Sequence, residues 1–183
     1  MSIQSLLESI ASLSDAERQD LLSRLREIYG VPAPAPPPAR QMGLALGEDE
    51  WTGAADFLVV FDGGSLGNPG AGYGSYAIFE GTQPGYVQRL ELPSPATNNE
   101  AEYQTLLAAL RVLADRLGER AASASLEVRG DSQLVIEQVI GHWKAKDERM
   151  RGLRDDVRSA LRRFGRWRLV QQRREDSVRV LGH

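Results

Sequence analysis

The chain has 183 residues, of which 42% are hydrophobic, and this suits one domain of roughly 100–150 residues with an appendage. It contains no cysteine, which excludes disulfides and thiolate metal sites and leaves oxygen atoms and two histidines as metal ligands. Such ligands favour hard cations such as Mg²⁺ or Mn²⁺. The net charge of −3 does not by itself indicate a nucleic-acid-binding protein.

The sequence also lacks the features of a membrane or secreted protein. No apolar run approaches the roughly 20 residues needed to cross a bilayer, and the N-terminus has no basic start followed by an apolar stretch. We therefore expect a cytoplasmic protein with no membrane partner.

Residues 1–30 are expected to form a short helical hairpin. Apolar residues recur at helical spacing in Leu6–Leu13 and Leu21–Ile28, and Ser14 with Glu17 forms a capping-box pattern between them. Thirty residues bury too little surface to be stable alone. The hairpin must pack on the main domain, self-associate or dock on a protein partner, and the linker that follows favours the last two.

Residues 31–55 are expected to be that linker. Five prolines between Val31 and Ala39 favour stiff polyproline II geometry, and the remainder is expected to be irregular. A spacer is favoured over a proline-rich ligand for another domain.

Residues 56–183 show the pattern of an α/β domain with a mixed five-stranded sheet flanked by helices. The apolar run Phe57–Phe61 indicates a central strand covered on both faces. The elements follow in the order β-β-β-α-β-α-α-β, so an antiparallel meander leads into a parallel section. The other predicted strands are Tyr73–Phe79, Val87–Leu92, Leu126–Val128 and Trp167–Gln171, and the predicted helices are Glu100–Leu117, Ser132–Ile140 and Asp147–Phe164.

The last part of this domain is locally basic. From Gly141 onward there are 13 lysines and arginines against six acids. Such a region can bind phosphates although the chain as a whole is not basic. A solvated helix with intrahelical ion pairs, such as Asp155 with Arg158 or Arg151, explains the same pattern equally well.

Three acidic residues are candidates for metal binding. Asp62 directly follows the central strand, Asp131 follows the fourth strand, and Glu102 lies in the first turn of the long helix. Ligands gather at the carboxyl ends of strands in open α/β sheets, and converging carboxylates repel one another unless a cation neutralises them. Each acid also has a structural alternative: Asp62 as a turn former, Asp131 as a helix N-cap, and Glu102 as a partner of the helix dipole.

The segments around these acids resemble ribonuclease H type 1. They occur in the order and spacing of that family, and the resemblance covers about Phe57 to Glu175. It implies the ribonuclease H-like fold. The matching segments are DGGSLGNPG at Asp62–Gly70, TNNEAEY at Thr97–Tyr103, DSQ at Asp131–Gln133 and GHWKAK at Gly141–Lys146.

A glycine-rich stretch, Gly70–Gly74, invites a second interpretation. A dinucleotide site needs such glycines to open a helix, and here they lead into a predicted strand, so that site is not indicated. We expect these glycines to let the backbone turn and approach a nucleic-acid minor groove closely.

The resemblance implies a metal-dependent endonuclease that hydrolyses the RNA strand of RNA–DNA hybrids. Two Mg²⁺ ions, or Mn²⁺, would be the cofactors, and hydrolysis would proceed without a covalent enzyme intermediate. By match to the motifs, Asp62 would bridge both ions, and Glu102 and Asp131 would complete the shell of the second.

The resemblance also implies recognition of ribose 2′-hydroxyls. Asn98, Asn99 and Gln133 would read the minor groove, while Trp143 and the lysines after it would follow the DNA strand. For Trp143 a core anchor is the alternative. The full implied substrate-binding set is Gly63, Gly64, Ser65, Gly67, Asn68, Asn98, Asn99, Gln133, Trp143, Lys144 and Lys146.

The chain departs from the family near its C-terminus. Family members carry a fourth carboxylate on a final helix, and the matching position here falls near Leu181, so this helix is expected to be missing or truncated. Asp176 is our predicted substitute ligand, with Glu175 and His183 as alternatives. An active endonuclease is favoured by the three acids and the 2′-hydroxyl-reading set. A non-catalytic or weakly active hybrid-binding module is favoured by the missing fourth acid.

Overall fold

The computed structural model describes residues 21, 53–81, 83 and 85–182. The chain divides into two units, Met1–Pro38 and Ala39–His183, and the fold below belongs to the second. The predicted hairpin of residues 1–30 (Leu21 apart) and residues 31–52 of the predicted linker lie outside the described residues, so both stay predictions.

Five strands form one mixed sheet, as the sequence predicts. The spatial order is β3-β2-β1-β4-β5, in which β2 runs antiparallel to β1 and β3, while β4 runs parallel to β1 and β5. The antiparallel meander therefore leads into a parallel section. The strands are β1 (Phe57–Gly67), β2 (Gly70–Glu80), β3 (Tyr86–Glu91), β4 (Ser125–Gly130) and β5 (Arg166–Gln171).

The helices begin where the sequence places polar capping residues. They are α1 (Asn98–Leu117), α2 (Gln133–Ile140), α3 (Glu148–Leu161) and α4 (Arg174–Leu181), with a 3₁₀ helix at Gly118–Ser123. Thr97 caps α1 in a full capping box, and Ser132 and Asp147 cap α2 and α3. The final helix α4 is present with eight residues, so the alternative of a missing helix is wrong. No helix among the described residues is both long and apolar enough to cross a membrane.

Strand β1 is longer than the apolar pattern predicts. It continues past Phe61 to Gly67, pairing with β2 along its whole length, and only Asn68 and Pro69 connect the two strands. The apolar run stops earlier because the last part of this hairpin protrudes from the core. The residues of β1 beyond Phe61 are polar or glycine apart from the exposed Leu66, although the backbone remains extended.

The two faces of the sheet differ in how they are covered. Side chains alternate between faces along a strand, so Val59 and Phe61 point to one face and Val60 and Asp62 to the other. The first face carries the main core, built with α1, α2 and α3. Its fully buried members include Val59, Phe61, Tyr103, Leu106, Leu110, Leu126, Val128, Val135, Leu161 and Leu169.

The second face has a smaller apolar cluster, made by Val60 and Ala77 with Leu181 of α4. Beside α4 lies an open cleft of about 320 Å³. The cleft is lined by Leu58, Val60, Phe79, Arg129, Val170, Gln172, Asp176, Arg179 and Val180.

Two glycines of β2 have closely packed neighbours: Gly74 faces α1, and Gly72 faces the segment that leads into α1. A Cβ on Gly74 would lie 1.9 Å from Oγ1 of Thr105, and a Cβ on Gly72 would lie 3.1 Å from Cβ of Ala96. Only glycine at position 74 therefore lets α1 approach the sheet this closely. The structure thus assigns these two glycines to the inside of the fold, where the sequence analysis expected a groove-facing role.

Candidate functional site

Asp62 lies in the middle of β1, opposite Ser75 of β2. Because β1 runs on to Gly67, the interpretation of Asp62 as a turn former is wrong. Its side chain belongs to the second face of the sheet, and the residue is only 6% exposed.

Glu102 reaches the same place from α1. The first-turn acid that caps this helix is Glu100, whose carboxylate accepts hydrogen bonds from the backbone and hydroxyl of Thr97. Glu102 instead faces inward and is buried. Gly63 makes this approach feasible, since a Cβ there would lie 2.6 Å from the backbone of Ala101 and Glu102.

Asp131 directly follows β4. The N-cap of α2 is the next residue, Ser132, whose hydroxyl accepts a hydrogen bond from the backbone N–H of Val135 at 3.5 Å. The interpretation of Asp131 as a helix cap is therefore wrong. Its half-buried side chain lies at the carboxyl end of the parallel part of the sheet.

The three acids form one carboxylate cluster. One oxygen from each of Asp62, Glu102 and Asp131 lies within 4.8 Å of the others. Burial raises the pKa of Glu102 well above its ordinary value, and the charges of Asp131 and Asp62 raise it further. Burial also raises the pKa of Asp131, as does the charge of Asp62. Such a cluster holds mutually repelling charges that a cation would neutralise.

Glu102 also has an unsatisfied atom. Its Oε2 is buried without a hydrogen-bond partner, while the backbone of Gly63 bonds to the carboxylate and lowers its pKa slightly against the raising effects. A buried, unpartnered carboxylate oxygen carries a desolvation cost that a metal ligand bond would offset. The oxygen-only donor set fits a hard divalent cation.

Helix α4 begins beside this cluster. Gln171 pairs with Gly130, and the backbone N–H of Gln172 donates to the carbonyl of Gly130 at 2.9 Å, which brings the chain alongside Asp131. The positive charge of Arg174 lowers the pKa values of Glu102 and Asp131 against the effects that raise them. Arg174 is not among the site residues predicted from the sequence. The available signal was its position three residues beyond β5, which runs parallel to β4.

The residues considered for the fourth acid occupy different surroundings. Leu181 is 2% exposed and packs against Val60 and Ala77. Asp176 lines the cleft of the second face, 3.5 Å from Arg179, and does not belong to the carboxylate cluster found among the described residues. Its role as a metal ligand stays a prediction. Glu175 is exposed, and its charge raises the pKa of Asp131, while His183 lies outside the described residues.

The predicted minor-groove residues at the β1–β2 hairpin and the start of α1 are joined by hydrogen bonds. Oδ1 of Asn98 accepts from the backbone N–H of Ser65 at 2.9 Å and from its hydroxyl at 3.0 Å. The backbone N–H of Asn98 donates to Oδ1 of Asn68 at 3.1 Å. Asn99 follows on the first turn of α1, so this part of the predicted set forms one surface next to Asp62 and Glu102.

The remaining predicted contacts lie along α2. Gln133 is exposed at its first turn, two residues after Asp131. Trp143, Lys144 and Lys146 follow its other end, about 10 Å or more away by the rise of the helix. Trp143 is 45% exposed, so the alternative of a core anchor is wrong.

Part of the basic C-terminal region has a structural role. Arg149 lies 2.7 Å from a carboxylate oxygen of Glu100, joining α3 to α1. Arg158 donates to the backbone carbonyls of Val139 and Gln138 at 2.8 and 3.1 Å, which satisfies acceptors at the end of α2. These arginines hold elements together, while both lysines after Trp143 are exposed.

Comparison with known proteins gives consistent similarities. Residues 80–180 match the family model described as "Reverse transcriptase-like". Ribonuclease HI of Halobacterium salinarum is 35% identical over 120 residues, which cover 66% of this chain and 58% of that protein. The chain thus spans less than two thirds of the length of this curated relative.

Solved structures agree with this result. The crystal structure of RNase H1 from Halobacterium salinarum has a TM-score of 0.58 and 33% identity, covering 67% of this chain and 89% of that one. LC11-RNase H1, isolated from compost by a metagenomic approach and solved in complex with an RNA/DNA hybrid, has a TM-score of 0.62 and 26% identity. That match covers 67% of this chain and 89% of the other. These similarities confirm the fold expected from the sequence.

Proposed function

Because the chain belongs to the ribonuclease H type 1 family, we propose that it is a metal-dependent endonuclease that hydrolyses the RNA strand of RNA–DNA hybrids. The observation that carries this proposal is the carboxylate cluster of Asp62, Glu102 and Asp131, with oxygens within 4.8 Å of one another. The three acids come from the middle of β1, the end of β4 and helix α1, and they converge at a cost in repulsion that metal binding would offset.

Two Mg²⁺ ions, for which Mn²⁺ would substitute, are the proposed cofactors. Asp62, Glu102 and Asp131 would hold these ions, with Asp62 as the ligand common to both. The buried Oε2 of Glu102 supports a ligand role for that residue because it has no hydrogen-bond partner. When bound, the ions activate water and stabilise the leaving 3′-oxygen of the ribose.

The residues around the cluster bind and orient the hybrid in this proposal. Asn98 uses its Oδ1 on Ser65, so its amide nitrogen is the group directed at the substrate. With Asn99 and Gln133 it would recognise 2′-hydroxyls and base edges in the minor groove. The short hairpin loop, braced on α1 by Asn68, would offer backbone groups to the same groove.

The lysines after α2 are proposed to follow the phosphates of the DNA strand, with Trp143 stacking on a sugar. All three side chains are exposed on one short segment, Trp143 to Lys146, in which Ala145 is the buried residue. This arrangement fixes the segment while leaving its polar and aromatic side chains accessible.

A hybrid-binding module with weak or no cleavage is the second candidate. It is favoured by the departure from the family near Leu181, where the resemblance implies a fourth acid and where Leu181 instead packs on Val60 and Ala77. A buried leucine cannot hold a cation, so any fourth carboxylate must come from elsewhere, such as Asp176 or Glu175.

Cleavage of an end-labelled RNA–DNA hybrid with Mg²⁺ or Mn²⁺ distinguishes these candidates. We expect metal-dependent cutting by the unmutated protein and a loss of at least about 10³-fold in kcat for Asp62→Asn, because several kcal/mol of charge stabilisation would be removed. Asp156→Asn, at an exposed acid of α3, is the matched control and should cut normally.

The same assay tests the fourth ligand through Asp176→Asn and Glu175→Gln. A loss confined to one of them would identify that residue as a contributor. Hybrid binding without cleavage by either metal would overturn the endonuclease and leave the binding module.

A further inference from the structure

We propose that two exposed side chains on the β1–β2 hairpin, Tyr73 and Leu66, form an apolar strip against which a sugar of the bound hybrid packs. The inference rests on the proposed function, since the strip would contact the same RNA–DNA hybrid that binds at the carboxylate cluster. It adds a contact of a different chemistry to the amide groups expected to read the minor groove.

The strip is placed by strand alternation and register. Asp62, Gly64 and Leu66 alternate along β1 and therefore share the second face of the sheet. Tyr73 lies directly opposite Gly64 on β2, and so belongs to that face too. Tyr73 thus stands one side-chain step beyond Asp62, about 7 Å along the strand, and Leu66 stands one step further.

The ring of Tyr73 lies over Gly64. A Cβ added to Gly64 would lie 2.6 Å from the Tyr73 hydroxyl oxygen and 2.7 Å from the ring carbon that carries it. The tyrosine therefore lies across the strand with its outer surface turned to solvent, and the glycine provides the space for it. This gives the ring a supported position beside the buried Asp62.

Exposure of these side chains needs an explanation. Leu66 is 74% exposed and Tyr73 is 43% exposed, although both share a face of the β1–β2 hairpin with the buried Asp62. Aromatic rings with one free face are effective platforms for bases and sugars, because stacking is tolerant of sequence. An apolar strip that continues from the carboxylate cluster is therefore suited to a nucleotide next to the one being cut.

A second exposed tyrosine provides the contrast. Tyr86 is 52% exposed but pairs with Ile78 of β2, five residues along the strand from Tyr73, and on the opposite face. It has the same chemistry and similar exposure at a distance of roughly 16 Å along the sheet. We therefore expect Tyr73 to contact the substrate and Tyr86 to make no substrate contact.

Hybrid binding tests the strip independently of cleavage. The variants are made in the full chain carrying Asp62→Asn, and the Kd for a fluorescent RNA–DNA hybrid is measured with Mg²⁺ by anisotropy. We expect Tyr73→Ala to weaken binding by about 3- to 10-fold, the range for loss of one aromatic packing contact. Tyr73→Phe and Tyr86→Ala should stay within about twofold of the parent.

Leu66→Ser provides a second variant. Because the Leu66 side chain is largely exposed, this substitution should leave the fold intact and weaken hybrid binding by about two- to fivefold. In the background with Asp62 intact, Tyr73→Ala should raise KM while kcat stays within about twofold, because the contact holds substrate and transition state equally. Thermal unfolding of each variant checks that the fold is retained.

Unchanged binding by Tyr73→Ala would overturn the strip. So would an equal loss in Tyr86→Ala, or a loss in Tyr73→Phe as large as in Tyr73→Ala, since stacking needs the ring and not the hydroxyl. If the unmutated protein fails to cut but the Asp62→Asn parent binds hybrid in a Tyr73-dependent way, the endonuclease is overturned and the strip stands. If the unmutated protein neither cuts nor binds hybrid, both are overturned.

Discussion

The two faces of the sheet differ in how closely they are packed and in the residues they expose. The first face is closed by α1, α2 and α3 over a large apolar core, whereas the second has three buried apolar residues, a two-turn helix and an open cleft. Asp62 belongs to the second face, and Glu102 reaches it from the first through the space left by Gly63. The stable face thus supports a cluster of repelling charges that the thinner face leaves accessible.

Neighbouring valines give the most direct test of this comparison. Val59 and Val60 are 0% and 1% exposed and point to opposite faces. We expect Val59→Ala to lower the free energy of unfolding by about 2–3 kcal/mol, since it leaves a closed cavity in the main core. Val60→Ala should cost about 1–2 kcal/mol, because Val60 lines the cleft and its removal leaves no sealed void. Denaturant unfolding measures both, and equal costs would break the comparison.

The carboxylate cluster should cost stability when no metal is bound. The raised pKa of Glu102 means that the folded state holds this proton more tightly than the unfolded state does. Below about pH 4 both states are protonated and the penalty vanishes. As the pH rises, the unfolded state ionises first, so metal-free stability falls until the raised folded pKa is passed.

Glu102→Gln isolates this effect. Without metal, the variant should match the unmutated protein near pH 4 and become more stable than it towards pH 7, by about 0.5–2 kcal/mol. Mg²⁺ should stabilise the unmutated protein and leave the variant nearly unchanged. Glu148→Gln, at an exposed glutamate of α3, should show neither trend. A constant difference across pH would argue against repulsion within the cluster.

The smallest expected effect concerns the segment after α2, which lies outside both faces. Lys144→Ala and Lys146→Ala should each weaken hybrid binding a few-fold and lower the slope of log Kd against log salt by about 1, if each meets one phosphate. Arg162→Ala, at an exposed position at the end of α3, serves as the control. An unchanged slope in both lysine variants would confine recognition to the carboxylate cluster and its hairpin.

Much of this architecture follows from pattern in the sequence. The helical stripe beginning near Glu100, the two later helical segments and the apolar strand runs predict the elements in their correct order as far as β5. The end of β1 is harder to predict from the sequence, because Leu66 is the one apolar residue beyond Phe61.

The structural alternatives for the acids could not be resolved without the fold. Asp62 before two glycines has the local pattern of a turn, yet it pairs with Ser75 inside a long hairpin. A tryptophan such as Trp143 is equally suited to a core or to a surface, and only the packing of the folded chain decides that it is exposed. Local pattern cannot separate these cases, because each depends on residues distant in the chain.

The sequence by itself determined which chemistry this protein carries: three acids, amides and lysines in a family-specific order, with no thiol to compete for metal. Only the tertiary structure decided that Glu102 crosses from the first face to join Asp62, that Leu181 packs into an apolar cluster, and that Tyr73 lies over Gly64. The reason is physical, since residue type sets what a side chain can bind, while the face it occupies depends on strand register and on which helix closes over it.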